Sequence, residues 1–393
     1  MEKTQKTNRI HIALLGRVNS GKSSFLNLIS GQEVSITSSI AGTTTDVVEK
    51  AQELQPIGPI IWMDTAGLGD ETILGKQRME KSLKALDKAD CAILICEGSH
   101  IEQEEKVIID ECEQRKIPLI KIYNKADIFA PTQEGIAVNS LDKSSRSKVL
   151  EALKAELLQK LPQDLFKAPV FAGDLVKKQS TIILVIPIDE QAPTGRLLPV
   201  QVQAIRDLLD NNNIVITVKD TEYKETLQRL KNKPDLVISD SSVIKKIEQE
   251  TPQDVLLTTF SILSARMKGD LQKFKDGAKY IKKLQDQDKV LIAETCTHHA
   301  DKNDIGTVKI PRLLTQVTGK KLNISYVSGC DFPKDIENYK LVIQCGGCMS
   351  SRKEILTRIQ KCENKGVAIT NYGICLSELN GVLERVLEPF RLK

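Results

Sequence analysis

The run Gly16-Arg17-Val18-Asn19-Ser20-Gly21-Lys22-Ser23 constrains the fold more than any other stretch of the chain. It fits the phosphate-binding pattern G-x-x-x-x-G-K-[ST]. An apolar, strand-like run, Ile10 to Leu15, leads into it, and a helical stretch, Ser23 to Ser30, leads out. A strand, a glycine loop and a helix in that order aim backbone N–H groups at an anion. Gly16, Asn19, Ser20, Gly21, Lys22, Ser23 and Ser24 are therefore the candidate cradle residues. Lys22 is placed to reach the outer phosphates of a nucleotide, and the Ser23 hydroxyl to ligate Mg2+. Three more buried-strand runs follow, Ile60 to Met63, Cys91 to Cys96 and Leu119 to Tyr123, separated by helical stretches such as Gln77 to Lys88 and Glu102 to Arg115. This alternation predicts an α/β fold with a parallel sheet and helices on both faces.

The ends of those strands carry the remaining chemistry. Asp64-Thr65-Ala66-Gly67 closes the second strand. Asp64 is placed to hold Mg2+ through its first-shell ligands, and the Gly67 N–H to sense a third phosphate. Asn124-Lys125-Ala126-Asp127 closes the fourth strand. A carboxylate there accepts from both N1–H and the exocyclic amine of guanine, which adenine does not offer, so GTP is the expected nucleotide. Thr44, within Gly42-Thr43-Thr44-Thr45-Asp46, is the candidate switch threonine and second Mg2+ ligand. Lys22, Thr44, Asp64 and Gly67 thus form the expected catalytic group. Leu68 occupies the position after Asp-x-x-Gly where a Ras-like enzyme has a water-orienting glutamine. Leucine does not orient water, so intrinsic hydrolysis is expected to be slow.

This ordered set resembles the P-loop GTPases of the translation-factor class, most closely the TrmE-Era-EngA branch, over roughly residues 8–160. The resemblance implies a further guanine contact from Asn139-Ser140-Leu141, centred on Ser140 and reduced from the usual Ser-Ala-Lys. It also implies a potassium site at Asn19, hence K+-stimulated hydrolysis.

Composition bounds the partners. The 393 residues are 40% hydrophobic, 27% charged and only 4% aromatic, with a net charge of +4. Neither a nucleic-acid footprint nor base-stacking platforms are expected from such values. No secretory signal precedes Arg9, and no apolar run approaches the roughly 20 residues of a membrane helix. A cytoplasmic protein with no membrane partner is expected. Pro162 and Pro169 bracket a linker, after which a second strand–helix alternation runs from Thr181 to Thr259 with no chemical motif; it reads as a domain for packing or association. The expected domains are 1–165, 170–265 and 266–393, the last two being smaller α/β units. Within the last, residues 270–284 and 376–387 each read as a single helix.

Nine cysteines stand in the chain. Cys91 and Cys96 flank an apolar strand and read as small core residues. Two groups differ: Cys296-Thr297-His298-His299 follows the strand-like Lys289 to Ala293, and Cys345-Gly346-Gly347-Cys348 follows Leu341 to Ile343. Two of the four histidines stand beside Cys296. The spacing alone admits zinc, an iron–sulfur cluster or a redox dithiol.

A GTPase domain, a motif-poor middle segment and these two cysteine groups together resemble the HydF family of FeFe-hydrogenase maturation GTPases, over essentially the whole chain. That resemblance implies a 4Fe-4S cluster on Cys296, Cys345 and Cys348. It implies a homodimer formed through the middle domain, a diiron precursor accepted and delivered to apo FeFe-hydrogenase, and two radical-SAM maturases upstream. The family often places His before Cys-Gly-Gly-Cys, where this chain has Gln344. His298, His299, Asp301, Asp304, water and the incoming diiron unit are then the candidates for the fourth corner of the cluster. The rival reading is a ribosome- or tRNA-associated GTPase with a zinc module, against which charge and aromatic content both count. The remaining option is a GTP-governed dithiol switch.

Overall fold

The computed structural model describes residues 9–31, 48–68, 73–98, 100–129, 135–166, 170–188, 197–295, 304–329, 332–333, 335–347 and 350–390. Two compact units are formed, Met1–Ala168 and Pro169–Lys393.

The first unit is a six-stranded sheet. Its strands are β1 (Ile10–Leu15), β2 (Val48–Leu54), β3 (Gly58–Asp64), β4 (Cys91–Glu97), β5 (Leu119–Asn124) and β6 (Ile136–Val138), in the spatial order β2-β3-β1-β4-β5-β6. All neighbours are parallel except β2 and β3. Helices α1 (Lys22–Ser30), α2 (Ile73–Leu86), α3 (Gln103–Gln114) and α4 (Arg146–Lys160) connect or flank them. All six side chains of β1 are buried, as a strand covered on both faces requires. The antiparallel β2, Val-Glu-Lys-Ala-Gln-Glu-Leu, lies at the sheet edge with most of its side chains in contact with water. Trp62 of β3 is fully buried and donates through Nε1 to Gln52 Oε1 of β2 at 2.7 Å. Cys91 and Cys96 are buried in this sheet. Burial pushes the Cys96 thiol up to about 12, with the Glu105 carboxylate adding to the effect, and raises Cys91 further still.

The second unit holds two four-stranded parallel sheets. The first, in the order β10-β9-β7-β8, comprises β7 (Thr181–Val185), β8 (Ile214–Val218), β9 (Leu236–Ser239) and β10 (Leu256–Thr259). The second, in the order β12-β11-β13-β14, comprises β11 (Lys289–Ala293), β12 (Asn323–Val327), β13 (Leu341–Gln344) and β14 (Ala368–Asn371). The interleaved helices are α5 (Pro199–Asp210), α6 (Tyr223–Arg229), α7 (Ile244–Glu250), α8 (Phe260–Lys268), α9 (Leu271–Lys279), α10 (Ile310–Thr318), α11 (Arg352–Asn364), α12 (Tyr372–Leu379) and α13 (Leu383–Leu387). One apolar cluster takes Ile183, Val237 and Leu257 from the first sheet, Leu291, Val342 and Ile369 from the second, and Phe274 from α9. The two sheets therefore share a core.

Two helices expected to be continuous are broken. The first tightens into a 3-10 turn at Tyr280–Lys283. The second stops at Asn380, where Gly381 takes a left-handed φ of 76° and ends α12 before α13 begins. Among the described residues, no helix is long and apolar enough to cross a membrane.

Candidate functional site

The phosphate cradle lies where β1 ends and α1 begins. Gly16 has φ 151°, and a Cβ there would lie 2.3 Å from the Ile95 carbonyl oxygen of β4. Gly21, at φ 92°, precedes α1, and a Cβ there would lie 2.0 Å from Asn124 Nδ2. Both positions need glycine for space as well as for backbone angle. Asn19 also takes a left-handed φ, 64°. Ser20 is fully buried, while Ser23 and Ser24 are half-buried in the first turn of α1.

Lys22 is buried, and its Nζ donates to the carbonyls of Gly16 at 3.0 Å and Arg17 at 2.8 Å. Burial lowers its ammonium to about 8, against a smaller opposing pull from Asp64. Ser23 Oγ donates to Asp64 Oδ2 at 3.2 Å, so the two side chains expected around Mg2+ stand together.

Beyond Asp64 the chain stays zipped to the cradle. Thr65 Oγ1 donates to the Leu14 carbonyl at 2.6 Å, Leu68 N to Gly16 O at 3.0 Å, and Val18 N to Leu68 O at 2.8 Å. A Cβ on Gly67 would lie 2.7 Å from Val18 Cα. The Leu68 side chain packs in the core with Leu15, Met63 and Leu94. Thr44 lies outside the described residues.

The guanine side is built on Asn124 at the end of β5. Its Nδ2 donates to Ser20 O at 2.9 Å, and its Oδ1 accepts from Ser140 N at 3.1 Å and Ser140 Oγ at 2.8 Å. One buried amide thus joins the cradle to the Asn139–Leu141 loop. Lys125 donates to Glu97, and Asp127 stands exposed beside them. Sequence reasoning missed Glu105. Its carboxylate is fully buried, lies 3.4 Å from Arg17 Nε, and closes a capping box on α3 by accepting from Glu102 N at 3.0 Å. Burial holds that carboxyl above the usual range.

The cysteine groups follow two adjacent strands of the second unit. Ala293 of β11 is in register with Gln344 of β13, and Cys345 N donates to Ala293 O at 2.8 Å. Cys345 is buried, and its sulfur receives Thr295 N at 3.3 Å and stands 3.1 Å from Thr295 Oγ1. An N–H donated to sulfur is the kind of contact that metal-bound thiolates receive, so Cys345 itself fits a metal–sulfur centre. Thr295 is the residue before Cys296 in the chain.

Cys296, His298, His299, Asp301 and Cys348 lie outside the described residues. Among the described residues no group of three metal-ligating side chains assembles. Asp304 is described: its Oδ1 accepts from Thr307 N at 2.7 Å and Thr307 Oγ1 at 2.8 Å, capping the turn Ile305–Lys309. Gln344 is buried, with no hydrogen-bond partner for its Oε1 among the described residues. Two features escaped sequence reasoning. Tyr372 OH donates to Glu294 Oε1 at 2.8 Å beside Gly306, and burial followed by that carboxylate pushes the phenol well above its ordinary range. Lys268 reaches the Cys-Gly-Gly-Cys loop from α8.

Comparison with known proteins gives three successive matches. Residues 11–125 match a GTPase family described as a 50S ribosome-binding GTPase. Residues 171–269 match the hydrogen maturase F dimerization domain, and residues 272–389 its tetramerization domain. The chain belongs to the hydrogen maturase F family. The GTPase portion of the chain is also similar to tRNA modification GTPase MnmE of Coxiella burnetii, 34% identical over 169 residues covering 40% of this chain and 37% of that one. GTPase Der of a Nitratiruptor species is 34% identical over 34% of this chain and 29% of its own. The chain therefore spans about a third of the length of these relatives. Era of Aquifex aeolicus, solved with GDP and aluminium fluoride, aligns at 19% identity over 53% of this chain and 94% of its own, with a TM-score of 0.35. Membership of the hydrogen maturase F family accounts for a GTPase domain and two α/β segments in one chain.

Proposed function

We propose that this chain is a GTP-hydrolysing scaffold and carrier of FeFe-hydrogenase maturation. It holds a 4Fe-4S cluster on Cys296, Cys345 and Cys348, accepts or assembles the diiron precursor, and delivers it to apo-hydrogenase. It works as a homodimer, with two radical-SAM maturases supplying its cargo. The observation that carries this reading is Thr295 against Cys345 Sγ at the end of β11 and β13, in a chain whose segments match hydrogen maturase F.

The residues divide the work. The cradle around Gly16 to Ser24 holds the phosphates, with Lys22 turning from the Gly16 and Arg17 carbonyls toward their charge. Ser23 and Thr44 are the side chains for Mg2+, with Asp64 bonded to Ser23 behind them. Asp127 reads the guanine edge while Asn124 and Ser140 set the loops that carry it. Leu68 is committed to the core, so hydrolysis by the protein alone is slow. Asn19 is the potassium residue, and rates equal in Na+ and K+ would remove that assignment. A cluster on three cysteines supplies one iron whose remaining position is open to an exchangeable ligand. His298, His299 and Asp304 are the protein's own candidates there, and Asp304 brings a carboxylate oxygen already fixed by Thr307.

Anaerobic reconstitution of the full chain, iron analysis and activation of apo-hydrogenase test the reading together. About four irons per chain and an activated hydrogenase are expected. A colourless protein containing zinc, or a loaded protein that activates nothing, would overturn it.

A further inference from the structure

Glu105 stands in the first turn of α3, outside the sequence motifs assigned to nucleotide, and it is fully buried. Its Oε2 accepts from Glu102 N at 3.0 Å, closing the capping box. Its Oε1 lies 3.4 Å from Arg17 Nε, a buried donor with no hydrogen-bond partner among the described residues. Arg17 Nη2 lies 4.0 Å from Glu102 Oε1, so two carboxylates of one helix end face one guanidinium. The Cys96 thiol of β4 borders the Glu105 carboxylate as well.

A capping box does not need burial, and an ionised carboxylate out of water is costly unless a charge faces it. The charge that faces Glu105 is Arg17, the second residue of the cradle motif. The Arg17 backbone is where three parts of the site meet. Its carbonyl accepts from Ser20 N at 3.2 Å and from Lys22 Nζ at 2.8 Å. On either side of it, Gly16 O accepts from Leu68 N and Val18 N donates to Leu68 O, which pairs Arg17 with the segment after Asp64. A side chain fixed on α3 therefore fixes the turn that Lys22, Ser20 and Leu68 all lean on.

We infer that Glu105 is a positioning residue for the phosphate cradle: through Arg17 it fastens the turn at residues 16–20 to α3, and nucleotide affinity depends on it. Plain electrostatics points the other way. A negative charge near an anion site repels the anion, so its removal should tighten binding, whereas loss of positioning should weaken it. The two effects differ in sign. This inference rests on the nucleotide reading of the cradle and extends it to a residue outside the cradle motif.

The test compares full-length wild-type protein with Glu105→Gln, Arg17→Lys, Arg17→Met and the double variant Arg17→Met/Glu105→Gln. Glutamine at position 105 keeps an acceptor for the capping box and removes the charge. Three readouts are taken: the calorimetric Kd of GDP with Mg2+, kcat and KM for GTP hydrolysis, and hydrogen exchange at residues 16–20 of the nucleotide-free protein. Glu105→Gln is expected to raise Kd about tenfold, within the range for residues in contact, with faster exchange at residues 16–20. KM should rise in step while kcat stays within about twofold, since the cradle holds substrate and transition state alike. The double variant should bind about as weakly as Arg17→Met alone, because the same contact is lost in both. Arg17→Lys should recover most of the affinity that Arg17→Met loses.

A Kd in Glu105→Gln equal to or below that of wild type overturns the positioning, and losses that add in the double variant overturn Arg17 as its carrier. Should Glu105→Gln fail to fold by circular dichroism, Glu105→Asp takes its place. It keeps the charge, withdraws it from Arg17, and is expected to weaken GDP binding likewise; wild-type affinity there overturns the inference. If wild-type protein itself binds no guanine nucleotide, the reading of the cradle fails instead, and hydrogen exchange at residues 16–20 still decides whether Glu105 orders that turn.

Discussion

Replacing Asn124 by alanine removes a joint rather than a nucleotide contact, and its size follows from the geometry. Three hydrogen bonds are lost, to Ser20 O at 2.9 Å, from Ser140 N at 3.1 Å and from Ser140 Oγ at 2.8 Å, at a side chain only 4% exposed. At about 1 kcal/mol net for each bond, the loss is about 3 kcal/mol. It divides between two observables, because bound nucleotide re-imposes some of the loop order the amide supplies. The folding free energy of the GTPase unit, from urea denaturation of the apo protein, should drop by about 1–2 kcal/mol. The remainder should appear in calorimetric GDP affinity as a Kd raised roughly tenfold, at 1.4 kcal/mol for each factor of ten. Asp127→Ala is the control. That carboxylate is exposed, so stability should hold while discrimination between GTP and ATP collapses. If Asn124→Ala changed both stability and affinity by less than 0.5 kcal/mol, about half of one such bond, the idea that this amide fastens the cradle to the Ser140 loop would be wrong.

Gly21→Ala puts a Cβ 2.0 Å from Asn124 Nδ2 at φ 92° and should weaken GDP binding at least tenfold, of order 1–2 kcal/mol; calorimetry that finds wild-type affinity would refute the close approach. Lys22 in the empty cradle is lowered to about 8, and bound phosphates favour its charged form, so binding above that pH must take up a proton. GTP affinity should therefore fall by up to about tenfold per unit above pH 8 and level off below it. Lys22→Arg should lack that break; a break of the same size in both proteins would assign it elsewhere. For folding the sign is opposite. The folded pKa lies below the unfolded 10.5, so the apo GTPase unit should gain stability as pH rises from about 8 toward 10.5, and Lys22→Met should not. Thr295→Val keeps the shape and the N–H donor but removes the hydroxyl 3.1 Å from Cys345 Sγ. Iron affinity should drop about tenfold and the cluster potential should move negative; an unchanged potential would leave that hydroxyl without a role.

What the sequence displayed was burial on both faces and spacing around glycines. β1 and β4 are nearly continuous apolar runs because each is a central strand. β2 was invisible because an edge strand with Glu49, Ala51 and Glu53 facing water has no such run. β6 is only three residues long. Helix α4 carries a readable signal, Val149, Leu153 and Leu157 at four-residue spacing, set amid many charges. At the cradle, residue identities follow from the motif, since few side chains satisfy its backbone angles. The pairing of Leu68 with Gly16 and Val18 does not, because a missing glutamine says nothing of where its replacement turns. Lys268 was least legible: its acceptors lie 79 and 82 residues away, and a lysine ending a helix has an ordinary explanation at its own end.

Trp62 is the chain's sole tryptophan, and its place has a practical consequence. The indole is sealed from water, bonded to Gln52 across the β2–β3 seam, and two residues from Asp64. Any shift of that seam with nucleotide would change the polarity the indole senses. The protein thus carries a native fluorophore next to its triphosphate chemistry. Its emission is expected to report the nucleotide cycle in unlabelled protein, against which the proposed cluster transfer can be timed.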